Sequence, residues 1–363
     1  MTETLIARAP IRVLIVDDSA FMRTALSRMI ASEADLEVVG TATSGEDALQ
    51  KIPSLAPDVV TLDVEMPGLD GLQTLRHIMR EFPRPVIMVS AVTEKDAEIT
   101  FNALSAGAFD YVPKSLSGTS LDILHIRSDL IAKIRAAAIA RRRKAIADAR
   151  KPAQSAGHDE MSPIPATSAA IIAIGLSTGG PRALQQTLFH LPHDLAVPIV
   201  IVQHMPAGFT SHFAQRLDSL CPLAVREATH GELLKPATAY IAPAGLHMRV
   251  QRRRDDSRLM ISLGLHPHDA LHVPSVDVLM ESVASVYHNR AMGVIMTGMG
   301  SDGAEGMKAI HRAGGLTIGQ DEATCTVYGM PRVCAELGIL HRIVPLEEIP
   351  DQIIQATRRR KRA

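Results

Sequence analysis

Cysteine is scarce in this 363-residue chain, which holds only Cys221, Cys325 and Cys334. They are far apart and odd in number, so they form neither a zinc-ligand spacing nor a disulfide framework. Excess charge is missing as well. The 38 Lys and Arg against 39 Asp and Glu leave a net charge of -1, which gives no reason to expect nucleic acid or a membrane surface as the main partner. No apolar run approaches the ~20 residues that cross a bilayer. The opening MTETLIARAP lacks the basic, apolar and small-residue order of a secretory signal. The expectation is a cytoplasmic protein with no membrane insertion.

Hydrophobic residues make up 46% of the chain and charged residues 21%, a soluble globular composition long enough for roughly two or three domains. Short apolar runs alternate with amphipathic stretches, the signature of parallel α/β sheets. In the first part the runs are Val13 to Val16, Leu36 to Val39, Val59 to Leu62, Val86 to Val89 and Tyr111 to Val112. A long helical pattern follows over Leu121 to Arg150, basic at Arg141, Arg142, Arg143 and Lys144, and that run reads as a solvated helix face. Lys151 to Ser168 has linker composition. A second α/β series starts at Ile171, with runs at Ile199 to Val202, Tyr240 to Ala242, Gly293 to Met296 and Leu316 to Ile318. Within it, Leu246 to Leu265 reads as two short strands. The organisation expected is a domain over 11–138, a linker over 139–167 and a second domain over 168–358.

In the first domain Asp17 and Asp18 follow one strand and Asp63 ends another. Parallel strands bring their C-terminal ends to one edge, where such folds place their sites. Three carboxylates meeting there repel one another unless a cation joins them, and oxygen ligands at that density suit Mg²⁺. Lys114 and Ser90 end two further strands. The stretches VLIVDDS, TLDVEMPGLDG, VSA and YVPK resemble a response-regulator receiver from Ile11 to about Ala138. That resemblance implies a flavodoxin-like five-stranded parallel sheet with Asp63 as phosphoacceptor. It also implies Asp18, Asp63 and the carbonyl of Glu65 as Mg²⁺ ligands, with Asp17 assisting. Ser90 and Tyr111 would be the switch pair and Lys114 would hold the phosphoryl group. Ser115 departs from the family, which usually has proline there.

In the second domain Ser177 sits in Gly175-Leu176-Ser177-Thr178-Gly179, a strand-to-helix turn where glycines permit a sharp bend and close approach. His204 follows the next strand, and Asp302 lies in a glycine-rich turn after a later one. Nucleophile, base and orienting acid can therefore meet on one edge, the arrangement acyl transfer needs. The order Ser, His, Asp differs from the Ser, acid, His order of α/β-hydrolases.

Three rivals compete with this reading. Gly298 to Gly303 has the spacing of a dinucleotide-binding turn, but Asp302 would repel a pyrophosphate there. His266, His268, Asp269 and His272 hold a zinc-like spacing, weakened by Pro267. A non-catalytic adaptor output domain is the third.

The stretches AIGLSTGGP, VIVQHMP, GFTSHFAQRLD, YIAPAGLHM, HVPSVDVLM, VIMTGMGSDGAEG and QDEATCTVYGMP resemble chemotaxis protein-glutamate methylesterases of the CheB type. The resemblance implies a doubly wound α/β hydrolase that demethylates glutamyl side chains of chemoreceptors, some members also deamidating glutamines. Its implied triad is Ser177, His204 and Asp302, with the Met299 N–H, near Thr178, stabilising the oxyanion and no metal in the hydrolytic step. A histidine kinase is the implied phosphodonor and methyl-accepting chemoreceptors the implied substrate. Regulation is expected to work by the unphosphorylated receiver masking the hydrolase cleft.

Overall fold

The computed structural model describes residues 9–90, 94–114, 120–149, 168–253 and 258–358. The chain divides into two compact units, Met1–Gln154 and Ser155–Ala363. In the first unit the strands are β1 (Ile11–Val16), β2 (Leu36–Ala42), β3 (Val59–Asp63), β4 (Val86–Ser90) and β5 (Asp110–Pro113). They form one parallel sheet in the order β2-β1-β3-β4-β5. Apolar runs rich in Val and Ile suit strands covered on both faces by helices. Val13, Ile15, Val59, Ile87 and Val89 pack on one side against Leu26, Ile30, Leu130 and Ile134.

Local signals set the helix starts. Ser19, Ser44 and Asp70 each cap a helix through a side-chain oxygen, and Asp70 and Gln73 close a reciprocal capping box. The last helix of this unit runs Ser120–Ala149. Residues 139–149, expected in the linker, therefore continue that helix, while 150–167 and the Ser115 departure lie outside the described residues. The basic run is not wholly a solvated face: Arg141 pairs with Asp58 at 2.9 Å and donates to the Pro57 carbonyl at 3.0 Å, whereas Arg142 and Arg143 are exposed.

The second unit holds β6 (Ile171–Leu176), β7 (Ile199–Gln203), β8 (Ala224–Glu227), β9 (Thr238–Ile241), β10 (His247–Arg252), β11 (Leu259–Gly264), β12 (Ala291–Ile295), β13 (Leu316–Gln320) and β14 (Arg342–Val344). Seven strands form a parallel sheet ordered β14-β13-β12-β6-β7-β9-β8, while β10 and β11 pair antiparallel as a separate hairpin. The edge strands β8 and β14 escape a reading based on apolar runs, because each is short and carries charge, Arg226 and Glu227 in one and Arg342 in the other. In the sheet order, β6 lies between β12 and β7, so the chain ends carrying Ser177, His204 and Asp302 leave three neighbouring strands.

A buried histidine at the β13–β14 edge makes folding sensitive to acid. His341 is 6% exposed. Its Nδ1 accepts the Thr317 N–H at 3.1 Å, and its ring lies 4.8 Å from that of His311. An accepting Nδ1 requires the neutral ring. Burial, with a smaller contribution from His311, pushes the His341 pKa down to about 4. The unfolded chain, titrating near the ordinary ~6.5, then binds the proton more readily than the fold does. The contribution is full above that value and is lost as pH falls toward 4. Urea unfolding should show about 2 kcal/mol less stability near pH 5 than near pH 7 from this residue. His341→Leu should flatten that part of the profile, and an unchanged slope would refute the assignment.

Candidate functional site

Ser177 follows β6 directly. Its N–H donates to the Thr297 carbonyl at 3.0 Å, and its own carbonyl accepts the Gly180 N–H at 2.8 Å. Gly179 adopts φ +77°, and a side chain there would lie 2.4 Å from Thr326 Cβ. Only glycine meets both demands at that point. A Cβ on Gly298 would come within 2.9 Å of Ser177 Cβ. The loop after β12 therefore packs its backbone against the serine at Gly298. Thr178 is buried, and its carbonyl accepts the Thr297 hydroxyl at 2.9 Å.

His204 follows β7, and its N–H donates to the Leu176 carbonyl at 3.1 Å. Its Nε2 lies 2.7 Å from Asp302 Oδ2, and both side chains are 10% exposed. The other nitrogen, Nδ1, is buried with no hydrogen-bond partner. With Nε2 engaged by the carboxylate, Nδ1 is the ring nitrogen left without a hydrogen-bond partner. The usual Ser-His-Asp arrangement uses the two nitrogens the other way round.

Asp302 accepts more than the imidazole. Its Oδ1 takes the Ser275 hydroxyl at 2.9 Å and the Asp277 N–H at 3.1 Å, while Oδ2 also takes the Val276 N–H at 2.8 Å. Burial alone would raise its pKa. The His204 hydrogen bond and charge outweigh that, aided by the Val276 and Asp277 amides, and hold the carboxyl well below the usual range. Neighbouring Asp277 goes the other way, pushed up to about 6 by burial and by the Asp302 charge, with the Gly306 amide opposing. The two carboxyls are thus displaced in opposite directions, Asp302 downward and Asp277 upward.

Several contributors carried no sequence signal of their own. Gln203 Nε2 donates to the carbonyls of both Ser177 and His204 at 2.9 Å, so one buried amide ties the two loops together. Gln320 accepts the Thr297 N–H at 2.9 Å and steadies the residue under Ser177. A polar residue closing an otherwise apolar strand was the available hint, since a buried amide needs partners. The His266–His272 segment does not assemble as a metal cluster. His266 and His268 meet edge to face at 4.1 Å between centroids, and His272 stacks on His204.

In the first unit the strand ends converge as the spacing suggests. Ligand oxygens of Asp17, Asp18 and Asp63 lie within 4.8 Å of one another, the one such cluster among the described residues. Lys114 Nζ is 3.1 Å from Asp17 Oδ2 and 2.5 Å from Asp63 Oδ2. Apart from that ion pair, neither buried oxygen has a hydrogen-bond partner. Burial pushes the Asp63 pKa up to about 6, with Lys114 opposing and Asp17 adding to it. Carboxylates crowded in this way suit a hard divalent cation, so the donor set fits Mg²⁺. The Glu65 N–H turns toward Asp63 Oδ1 at 3.2 Å. Ser90 is buried and accepts the Thr100 hydroxyl at 2.9 Å, and Tyr111 is 2% exposed.

The CheB methylesterase family matches residues 172–353, and the response regulator receiver domain matches residues 13–123. A Nitratidesulfovibrio vulgaris relative, protein-glutamate methylesterase/protein-glutamine glutaminase 2, is 48% identical over 95% of this chain and 98% of its own length. The chain belongs to the CheB methylesterase family. A relative from Oleidesulfovibrio alaskensis, protein-glutamate methylesterase/protein-glutamine glutaminase 1, is 46% identical over 95% of this chain and 99% of its own. The crystal structure of the Thermotoga maritima CheB methylesterase catalytic domain aligns at a TM-score of 0.50 and 39% identity. It covers 52% of this chain and 99% of that domain. Membership in the CheB family accounts for both units, the receiver and the methylesterase. In the structure the QDEATCTVYGMP stretch borders the serine loop: Thr326 lies against Gly179, and Gly329 and Met330 donate to the Gly298 carbonyl at 3.0 Å.

Proposed function

We infer that this protein is a phosphorylation-activated serine hydrolase. It removes methyl groups from glutamyl esters of chemoreceptors and, as the names of its relatives suggest, deamidates glutamines. The observation that carries the reading is the buried His204–Asp302 pair, whose vacant Nδ1 lies on the edge that bears Ser177. Ser177 Oγ attacks the ester carbonyl while Nδ1 takes its proton. Asp302 keeps the other proton on Nε2 and stabilises the imidazolium that forms. The tetrahedral oxyanion is met by the Met299 N–H near Thr178. Collapse expels methanol, which takes the proton back from His204, and water activated by the same imidazole releases glutamate from the acyl-enzyme.

In the receiver, Asp18, Asp63 and the Glu65 carbonyl, with Asp17 assisting, would hold Mg²⁺, and that ion would neutralise charge on the phosphoryl oxygens. Asp63 accepts the phosphoryl group from a histidine kinase. Lys114 then pairs with phosphoryl oxygens in place of carboxylates, and Ser90 and Tyr111 reorient with it. We place the receiver over 11–138 and the catalytic domain over 168–358. Among the described residues no helix is long and apolar enough to cross a membrane.

The test is methanol release from methyl-labelled receptor membranes with and without a small phosphodonor. Wild type should speed up by a factor in the ordinary range of allosteric coupling, about 5–150. Asp63→Asn should hold its basal rate and gain nothing. A phosphodonor response that survives Asp63→Asn would remove the receiver from the control scheme.

A further inference from the structure

The His204 imidazole has one hydrogen-bonded anchor, the Nε2 contact to Asp302. A single contact fixes a point on the ring and leaves the ring plane free to swing about it. Such swinging would change where Nδ1 points. The plane is held by something else. The His272 ring stacks on that of His204, with centroids 4.2 Å apart and planes 23° from each other, a close face-to-face contact.

The segment that carries His272 is built to stay in place. It lies between β11 and the helix Val276–Tyr287, and the buried His247 on β10 holds both of its ends. His247 Nδ1 accepts the Ser275 N–H at 3.2 Å, and its Nε2 lies 3.1 Å from the Pro267 carbonyl. Because Nδ1 accepts, Nε2 carries the proton and donates. Arg249 adds a 2.6 Å hydrogen bond to the His266 carbonyl, and the Gly245 N–H reaches the Val273 carbonyl at 3.1 Å. Apolar burial does not explain this placement, since Leu271 is 88% exposed and Val273 36%. The hold is polar, and it continues into Asp302 through the Ser275 hydroxyl. Acid and stacking ring are therefore linked through one hydrogen-bonded segment beside the imidazole.

We propose that His272 is a positioning residue for the hydrolytic reaction, its ring face fixing the plane of the His204 imidazole so that Nδ1 stays directed to Ser177. The proposal rests on the hydrolase reading given above. The stacked face also leaves Nδ1 unengaged, because a ring lying flat on another offers that nitrogen no competing acceptor.

The test uses the full chain with His272→Ala, His272→Leu and His272→Phe. Leucine restores bulk without a flat face, and phenylalanine restores the face without ring nitrogens. For methanol release, alanine and leucine should lower kcat by roughly 10- to 100-fold, the cost of a slight misplacement, with KM unchanged. Phenylalanine should recover most of that loss. Ring-proton NMR gives a second readout that does not depend on turnover. The His204 signals, identified by their loss in His204→Gln, should move in the alanine and leucine variants and return toward wild type in the phenylalanine variant. Wild-type kcat in both alanine and leucine variants, or a fall in kcat with unmoved His204 signals, would overturn the proposal. Absence of methanol release from wild type would count against the hydrolase reading instead, and the NMR comparison would still decide the stacking.

Discussion

Methanol release by Ser177→Ala is expected to fall by about 10⁶-fold, to the rate that the oxyanion donors and substrate binding sustain alone. The nearby Thr297 hydroxyl is committed to the Thr178 carbonyl and to the loop at Val327. The alanine variant should fold as wild type, because the Ser177 backbone contacts to Thr297, Gly180 and Gln203 involve no side-chain atom of residue 177. His204→Ala should lose nearly as much. The double variant should lose little more than either single one, since nucleophile and base act as a unit. Radiolabelled methanol collected from receptor membranes is the measurement. A loss of less than about tenfold in Ser177→Ala, near 1.4 kcal/mol in barrier height, would mean that another nucleophile carries the reaction.

Asp302→Asn is expected to cost about 10⁴-fold in kcat while leaving the fold in place. The reason lies in how its oxygens are used. Oδ2 faces the His204 Nε2 and the Val276 N–H, and Oδ1 faces the Asp277 N–H and the Ser275 hydroxyl. An asparagine must set its NH₂ against one of those groups of donors. Turned toward His204, it would donate to Nε2 and drive the ring proton to Nδ1, removing the base. Turned the other way, it would oppose the Asp277 amide and still supply no charge to the imidazolium. Asp63 phosphorylation by a small phosphodonor should be unaffected, a built-in control for folding of the first unit. A variant retaining about a tenth of wild-type kcat would show that the carboxylate charge is not needed.

Much of this protein is readable in one dimension. The alternation of Val- and Ile-rich runs with amphipathic stretches determines two parallel α/β units, because strands covered on both faces must be apolar throughout. Residues that end the strands of one sheet fall on one edge by topology alone, which is why Asp17, Asp63 and Lys114 group in the first unit and Ser177 and His204 in the second. The capping residues Ser19, Ser44 and Asp70 mark helix starts for a local reason, the unpaired amides of a first turn.

Other features depended on contacts between residues distant in sequence. Which imidazole nitrogen meets Asp302 is set by how the loop after β12 approaches β7, and no spacing encodes that angle. The elevated pKa of Asp63 and the opposite displacements of Asp302 and Asp277 arise from burial and from charges brought together by folding. Gln203 closes an apolar strand, and its double hold on Ser177 and His204 exists only once β6 and β7 are neighbours. His272 read as one of several loop histidines. Its stacking on His204, 68 positions away in the chain, follows from a hairpin that pins its loop beside the sheet. The residue types carrying the chemistry were determined by the sequence, and the distances that let them act on one another were decided by tertiary packing. Hydrogen bonding and desolvation change over a few ångströms, and sequence separation carries no information on that scale.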